Sequence, residues 1–499
     1  MKKKLLLFLL AAIFTVGMWT VPVQAYPDIT VDYTFIFCAE NRRLIVPDSF
    51  KLHRIVPVLN EFGHMPDDLI DMHVTDDGRI FILDMQANRV LIYNDEFELE
   101  RDLVYFNYNG EVTTLDRPEG IFIQESTGII YIADTNNRRI LQSDEYGNII
   151  FVTYGPETFP GTDFHLFYPT NVVADVAGNQ TVIARHVNMG FLQFSPEGEF
   201  VGYMGAPRVQ MSGFTRIIRR FFSTREQRQR MWQFVPTEYS NVAIDRYGFI
   251  YGTISSLALW DVVDLVNAGE RNDDVTPIKR FNAAGDDILK RNGLQMPIGN
   301  LDTTTGIVSR VIDVALGPGG TYTLLCSATA TLYTYSDEGI LLHAFGRQGR
   351  TRNTFGRPVA VDYMGNELLV LDAMLGVIKV FTPTEYNLLK LEALTAEYYG
   401  YFDIAYPLWG EVSRLNTAFR YAYIGLGMAA YESGEFRQAM TYFANARHDR
   451  NYSRAKERLR MENMETAFPI IFAVLVGAVA ILFIKGTTTN VRTFFRERM

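Results

Sequence analysis

The chain has 499 residues, more than one ordinary hydrophobic core accommodates, so we expect two or more domains. Hydrophobic residues make up 48% and charged residues 21% of the chain, which is close to the average composition of a globular protein. The formal net charge of −10 argues against a general nucleic-acid binder, because such proteins need an excess of basic residues to neutralise phosphates.

Residues 1–25 have the three-part pattern of a secretory signal peptide. Three lysines follow the initial methionine, residues 5–16 are apolar, and Ala25 ends a small-x-small cleavage site. The alternative is an N-terminal anchor that stays uncleaved. The two cysteines of a secreted chain, Cys38 and Cys326, could form a disulfide, although a fold of this size does not need one.

A pattern of short strands and turns recurs six times between residues 66 and 381. Its most complete copy runs from Pro118 to Leu141, where apolar strands alternate with turns that contain Gly128, Asp134 and Asn137. One three-stranded sheet cannot bury its own faces, so we expect the copies to pack side by side. The turn glycines of the six copies are Gly78, Gly128, Gly178, Gly248, Gly320 and Gly365.

These copies resemble the NHL repeat, a blade of six-bladed β-propellers. The shared pattern is Pro-x-Gly, a strand, a turn glycine, a second strand ending in Ala-Asp, and Asn-Arg before a third strand. The resemblance implies an all-β six-bladed propeller over residues 26–383. We expect an N-terminal strand to complete the last blade; a seventh, incomplete blade is the alternative. The recurrence of Asp84, Asp134 and Asp372 after the second strand predicts a structural role for these carboxyls.

An arginine-rich insertion, residues 208–234, separates the third and fourth copies. It contains seven arginines and one acidic residue, and its apolar residues recur at helical spacing. Such a segment could bind lipid headgroups, an anionic cell-wall polymer or an acidic partner. The alternative is a helix packed on the propeller with its arginines in solvent. The candidate binding surface consists of Arg216, Arg219, Arg220, Arg225, Arg228, Arg230 and Trp232.

After residue 383 the apolar period changes from two to 3.6, which predicts helices at residues 384–399, 401–415, 418–433 and 435–448. Similar residues recur at an offset of 34, among them Trp409 and Phe443. The segment 384–464 therefore resembles tetratricopeptide repeats. Two repeats are fewer than the three that are usually stable alone, so we expect these helices to pack on the propeller or on a partner.

Residues 466–484 lack charged side chains and are long enough to span a bilayer core of ~30 Å. The tail that follows, residues 485–499, is rich in lysine and arginine, so the positive-inside rule places it in the cytoplasm. Together with a cleaved signal peptide, this predicts a single-pass membrane protein whose bulk is extracytoplasmic. A buried core helix is the alternative.

The motifs of nucleophilic catalysis and phosphate binding are missing from the sequence, and we predict no cofactor. Six-bladed propellers nevertheless include lactonase-like hydrolases that hold Ca²⁺ in the central channel with Glu, Asn and Asp side chains. The matching residues here are Asp71, Asn171, Asn241 and Asp313. Asn171 and Asn241 occupy equivalent places in the third and fourth copies, where asparagine also suits an ordinary strand-entry turn.

As a whole, the chain resembles membrane-anchored proteins of Gram-positive bacteria that combine an NHL-like propeller with tetratricopeptide-like repeats. We predict a non-enzymatic binding or scaffold protein of the cell surface. Its propeller face would recognise a protein, peptide or polysaccharide, its helices would dock a partner, and the resemblance implies an association with a transport system. The competing hypotheses are a tethered Ca²⁺-dependent propeller hydrolase and a structural spacer without a ligand.

Overall fold

The computed structural model describes residues 34–37, 43–156, 166–187, 189–205, 238–255, 257, 276–291 and 310–496, with side chains up to residue 485. The described part is a six-bladed β-propeller followed by five α-helices, the last of them long and apolar. This confirms the fold class that the sequence predicts. The predicted signal peptide and Cys38 lie outside the described residues, whereas Cys326 is buried in a strand.

The first three blades are four-stranded antiparallel sheets, preceded by three N-terminal strands. A small hairpin, β8 and β9, lies between the first and second blades. The strands are β1 (Phe35–Phe37), β2 (Arg43–Ile45), β3 (Phe50–Pro57), β4 (Leu69–Val74), β5 (Ile80–Asp84), β6 (Arg89–Tyr93), β7 (Leu99–Leu103), β8 (Phe106–Tyr108), β9 (Glu111–Thr113), β10 (Gly120–Gln124), β11 (Ile129–Asp134), β12 (Arg139–Ser143), β13 (Ile149–Tyr154), β14 (Pro169–Ala174), β15 (Gln180–Ala184), β16 (Phe191–Phe194) and β17 (Phe200–Met204).

The remaining blades contain ten strands among the described residues, and a short 3₁₀ helix, Pro318–Gly320, follows the inner strand of the fifth blade. The strands are β18 (Asn241–Ile244), β19 (Ile250–Thr253), β20 (Ile278–Phe281), β21 (Val311–Leu316), β22 (Tyr322–Cys326), β23 (Thr331–Tyr335), β24 (Leu341–Phe345), β25 (Pro358–Met364), β26 (Glu367–Asp372) and β27 (Val377–Pro383).

The six predicted turn glycines all adopt positive φ, between 61° at Gly365 and 88° at Gly78. Glycine adopts this backbone conformation without steric cost, which permits the tight reversals between strands. The inner strands β4, β10, β14, β18, β21 and β25 contact one another in a ring around a central channel. The core lies between neighbouring blades, since Ile82 of the first blade packs against Leu369 and Ile378 of the sixth.

The N-terminal strand β3 closes the ring. It pairs along its whole length with β27, from Val377 opposite Pro57 to Pro383 opposite Phe50, and so completes the sixth blade as the sequence predicts. The strands β1 and β2 add to the fifth blade instead, where Phe35 lies opposite Ala344 of β24. The N-terminal segment therefore contributes to two blades rather than forming a seventh.

The recurring aspartates at the end of the second strands are buried and bind backbone N–H groups. The Asp372 carboxylate accepts hydrogen bonds from the backbone of Gly356 and Arg357, at 2.7 and 3.0 Å. The Asp134 carboxylate pairs with Arg139 at 2.8 Å. Each carboxyl thus fixes the loop that enters its own blade, or the turn that follows it, which confirms the predicted structural role.

The helices are α1 (Glu385–Tyr398), α2 (Phe402–Leu415), α3 (Arg420–Glu432), α4 (Phe436–Asn445) and α5 (Asp449–Arg496). The Thr384 hydroxyl caps α1 by accepting a hydrogen bond from the backbone N–H of Asn387. The first helices pack on the propeller, because Leu342 of β24 shares a core cluster with Tyr386 and Trp409. This contact agrees with the expectation that the helices lean on the propeller.

Among the described residues, one helix is long and apolar enough to cross a membrane, the segment Asp449–Lys485 of α5. Its large apolar side chains from Phe468 to Ile484 are exposed, so they do not belong to the core of the described part. The charged segment that precedes these side chains belongs to the same helix. The predicted span, residues 466–484, lies within this exposed apolar stretch.

Candidate functional site

A cavity of about 940 Å³ occupies the central channel of the propeller. All six inner strands contribute residues to its wall, and the loops that follow these strands form its rim. The end of α1 contributes Thr395, Tyr398 and Tyr399, so the cavity lies between the propeller and the helices. The close approach of α1 requires glycine in the facing loop, because a Cβ at Gly319 or Gly320 would overlap α1.

Six equivalent positions on the inner strands form a ring that we call the inner ring. The pairing register defines it: Asp71 lies opposite Leu83, and Asp313 opposite Leu325, at the same place in their blades. The members of the inner ring are Asp71, Gly120, Asn171, Asn241, Asp313 and Ala360. The four residues predicted as an alternative channel site are thus brought together.

Three side chains of the inner ring form a hydrogen-bonded relay. The Asn171 Nδ2 donates to Asn241 Oδ1 at 3.2 Å, and Asn241 Nδ2 donates to Asp313 Oδ1 at 2.6 Å. Asn171 and Asp313 are only 8% and 6% exposed, whereas Asn241 between them is partly buried. The relay links the third, fourth and fifth blades through side chains.

The side chains of Asp71 and Asp313 reach the inner strand of the neighbouring blade. In that blade the inner-ring position is occupied by a small residue, Gly120 or Ala360. Asp71 accepts hydrogen bonds from the backbone of Met72 and of Ile121, which follows Gly120, both at 2.9 Å. Asp313 accepts from the backbone of Val314 and of Val361, which follows Ala360, at 2.8 and 2.7 Å. Each carboxyl therefore joins two inner strands.

His73 and Asp362 line the cavity two residues further along their strands. The Asp362 carboxylate accepts hydrogen bonds from the backbone of Val74 and Tyr363, at 2.7 and 2.8 Å. His73 Nδ1 lies 3.9 Å from Asp362 Oδ2, too far for a hydrogen bond, and the His73 ring packs edge-on against Phe122. These two residues were not predicted from the sequence.

Burial perturbs the titration of this cluster. Burial raises the pKa of the Asp71 and Asp362 carboxyls to about 7. Hydrogen bonds from the backbone act in the opposite direction and are outweighed. The pKa of Asp313 is raised well above its usual value by burial and then by the charge of Asp71. Burial lowers the pKa of His73 to about 4, so this imidazole is neutral at pH 7.

The rim carries acidic residues and tyrosines. The Arg246 guanidinium lies over the rings of Tyr247 and Tyr399, at 5.1 and 5.3 Å from their centroids, and Tyr398 lies 6.5 Å from Tyr247. Arg246 is the only lysine or arginine among the described residues that line the cavity. Seven acidic residues line it in the described part: Asp71, Asp76, Glu125, Asp175, Asp245, Asp313 and Asp362.

The inner ring does not fit a preformed Ca²⁺ site. Calcium needs six to eight oxygen ligands, whereas Asn171 and Asn241 direct an amide nitrogen toward the next member of the relay. The carboxyl oxygens of Asp71 and Asp313 already accept backbone hydrogen bonds. Within the described ranges, no group of three or more His, Cys, Asp or Glu side chains is arranged to hold a metal ion.

The other predicted surface cannot be placed in the same way. All residues of the predicted arginine-rich binding surface lie outside the described part of the chain. They are Arg216, Arg219, Arg220, Arg225, Arg228, Arg230 and Trp232. Four other residues of the cavity were not predicted from the sequence: His73, Asp362, Tyr398 and Tyr399. Strand alternation was the available indication for His73, because residues two apart in a strand share a face with Asp71. For the two tyrosines of α1 the sequence contains no comparable indication.

Several solved structures are similar to this chain at low identity. Selenomethionine-substituted virginiamycin B lyase from Staphylococcus aureus is 11% identical, with a TM-score of 0.40 over 67% of this chain and 99% of that chain. A gluconolactonase from Xanthomonas campestris is also 11% identical, with a TM-score of 0.39 over 68% of this chain and 95% of that one. No family model and no curated protein matches the chain. At these identities the similarity concerns the fold alone.

Proposed function

We propose that this chain is a membrane-anchored binding protein that holds a ligand in the channel cavity. The observation that carries the proposal is the cavity of about 940 Å³, which the inner strands and α1 line together. Its size is that of a small-molecule or peptide side-chain site. The ligand class includes a protein, a peptide or a polysaccharide of the cell envelope.

The side chains of the cavity favour binding over catalysis. The ring carboxyls are engaged by backbone N–H groups, and their role in joining the inner strands accounts for them without a reaction. His73 contacts Phe122 and stands beyond hydrogen-bonding distance from Asp362, so it forms no oriented acid–base pair. These contacts support a recognition site built on a rigid scaffold.

We assign the blades to the NHL kind and the helix pairs to the tetratricopeptide kind. The ion pair of Asp134 and Arg139 in the second blade supports the first assignment, since it uses the Asp and Arg of the repeated pattern. The second rests on Trp409 and Phe443, which are 34 residues apart and both buried against glycines of α3. In this function the helices dock a partner, for which a transport system is our candidate.

The exposed apolar part of α5 supplies the membrane anchor in this proposal. An exposed stretch of this length is stable in hydrocarbon and costly in water. The basic residues after it place the short tail in the cytoplasm and the propeller on the outer side of the cell membrane. Residues 1–25 would direct the chain there as a signal peptide.

Affinity capture tests the binding function. Full-length protein in detergent is incubated with cell-envelope extract, and the bound material is compared with that of Tyr247→Ala and Tyr399→Ala. Both tyrosines are exposed at the rim, so we expect these changes to reduce capture and leave the fold intact. Tyr105→Ala is the matched control, because Tyr105 is exposed and does not line the cavity. Equal capture by all four proteins would refute the channel as the binding site.

A tethered Ca²⁺-dependent hydrolase is the second candidate, because Asp71, Asn171, Asn241 and Asp313 do meet in the channel. The side chains would have to turn their oxygens inward to hold the ion. Calcium titration of the full-length protein decides the matter. Saturable one-to-one binding that disappears in Asn171→Ala and Asn241→Ala would favour the hydrolase, and its absence would exclude this candidate.

A further inference from the structure

The relay of the inner ring ends in an amide oxygen that has no hydrogen-bond donor within the described part of the chain. Both Asp313 oxygens accept backbone hydrogen bonds, and Asn241 presents its Nδ2 to Asp313, so that Asn241 Oδ1 faces the Nδ2 of Asn171. This order leaves Asn171 Oδ1 at the end of the relay. Among the described residues no group donates a hydrogen bond to it, although Asn171 is only 8% exposed and lines the cavity.

Three carboxyls that line the same cavity have no lysine or arginine partner among the described residues. Asp71, Asp313 and Asp362 line the cavity, and the one arginine of the described lining, Arg246, is at the rim against two tyrosines. His73 is the one other titratable base there, and it is neutral at pH 7. Burial without a neighbouring cation raises the pKa of all three carboxyls, so a cation supplied by the ligand would favour their ionised form.

The geometry of the channel limits the shape of that ligand. From Asp71 to Val74 the inner strand β4 rises by about 10 Å, at ~3.3 Å per residue. An unbranched aliphatic chain of this length reaches from the rim to the inner ring. The rim tyrosines offer it apolar faces, and their rings also attract a cation on its way in.

We infer that the channel binds a ligand that carries a primary ammonium group on an unbranched alkyl chain. The ammonium donates a hydrogen bond to Asn171 Oδ1 and pairs with the carboxylates of Asp71 and Asp313, while the alkyl chain extends toward Tyr247 and Tyr398. A lysine side chain of a peptide and a free polyamine both present this chemistry. The inference rests on the proposed binding function and names the ligand class of the same cavity.

Three probes of equal length test the charge of the ligand: octamethylenediamine, octamethylene glycol and suberate. Each is titrated calorimetrically into the full-length protein in detergent at low salt. We expect the diamine to bind at least about tenfold more tightly than the glycol, and suberate not to bind. A glycol that binds as tightly as the diamine, or a diamine that does not bind, would overturn the inference.

Variants then locate the ammonium. We expect Asn171→Leu and Asp313→Asn each to weaken diamine binding by about tenfold and to leave glycol binding unchanged. Glu111→Gln is the control, because it removes an exposed negative charge on the β8–β9 hairpin, away from the cavity. The thermal midpoint of each variant shows whether it is folded. Asn171→Ala replaces Asn171→Leu, and Asp313→Ala replaces Asp313→Asn, if the first choice is not folded. Unchanged diamine affinity in both folded variants would contradict the assignment.

Two further measurements identify the source of the ammonium group. They also distinguish failure of the ammonium inference from failure of the proposed binding function. A lysine-containing peptide that competes with the diamine identifies a peptide ligand, whereas competition by spermidine alone identifies a polyamine. If envelope material is captured through Tyr399 but is not displaced by the diamine, the ammonium inference fails and the binding function stands. If capture does not depend on the rim tyrosines, the binding function itself fails.

Discussion

Lys390 is a buried lysine outside the channel. It lies on α1 where the helices meet the propeller, is 1% exposed, and donates a hydrogen bond from Nζ to Ser49 Oγ at 2.9 Å. The rings of Tyr386 and Phe419 lie within 5.4 Å of Nζ. Burial lowers the pKa of Lys390 to about 7. The pKa of His343 on β24 is lowered by its own burial and, to a smaller extent, by the positive charge of Lys390.

We expect the stability of the protein to depend on this lysine above pH 7. The folded chain loses the Lys390 proton near pH 7 and the unfolded chain near pH 10.5, so the unfolded state binds more protons between these values. Stability contributed by this group therefore rises with pH across that window. Lys390→Met removes the slope and stabilises the protein by about 1–3 kcal/mol at pH 7, a gain that shrinks toward pH 10.

Thermal midpoints measured from pH 7 to pH 10 check this expectation. Lys456→Met on α5 is the control, because Lys456 is exposed in the structure. An Lys390→Met variant that keeps the wild-type pH dependence would show that the lysine is not the titrating group.

The sequence identifies the channel residues only in part. Asp71, Asn171, Asn241 and Asp313 are predictable because they recur at one position of a repeated unit. His73 and Asp362 lie two residues after the inner-ring position, where each residue type occurs in only one copy. Comparison of the copies therefore does not identify them. Tyr398 enters the site because α1 packs on the glycines of the 3₁₀ helix, a tertiary contact that no local pattern encodes.

At the level of elements, glycine sets the spacing of the helices. A Cβ at Gly425 would overlap the indole of Trp409, and a Cβ at Gly427 would overlap the ring of Phe443. Both aromatics are buried. The offset of 34 residues therefore predicts the packing of these aromatics against small residues. The addition of β1 and β2 to the fifth blade depends on the distant pairing of β1 with β24 and has no such signature.

Two alanine substitutions separate packing from helix propensity. We expect Gly425→Ala to destabilise the protein by about 1–3 kcal/mol, because the new methyl group displaces Trp409. Gly410→Ala is the control, since it makes the same substitution inside another helix. No atom lies within 4 Å of the new Cβ, so we expect it to stabilise α2 by up to about 1 kcal/mol. Urea titration measures both. Equal effects of the two substitutions would mean that Gly425 is not a packing residue.

At the level of the whole molecule, we expect α5 to determine where the protein resides. Deletion of residues 466–484 removes the exposed apolar stretch, so we expect the truncated chain in the soluble fraction after high-speed centrifugation. Pro469→Ala is the control, since it keeps the apolar character of the segment and should remain in the membrane pellet. A truncated chain that still sediments with membranes would show that another part of the molecule provides the attachment.

The pairing of β3 with β27 has a consequence for synthesis of the chain. The Thr384 hydroxyl donates a hydrogen bond to the Asp48 carbonyl, which is 336 residues earlier in the chain. At a usual translation rate, about half a minute separates the appearance of these two residues. Throughout this interval β3 has no partner strand, and the sixth blade that will receive it does not yet exist. The nascent protein therefore carries an open strand edge that invites aggregation, and a chaperone that shields extended segments should increase its yield.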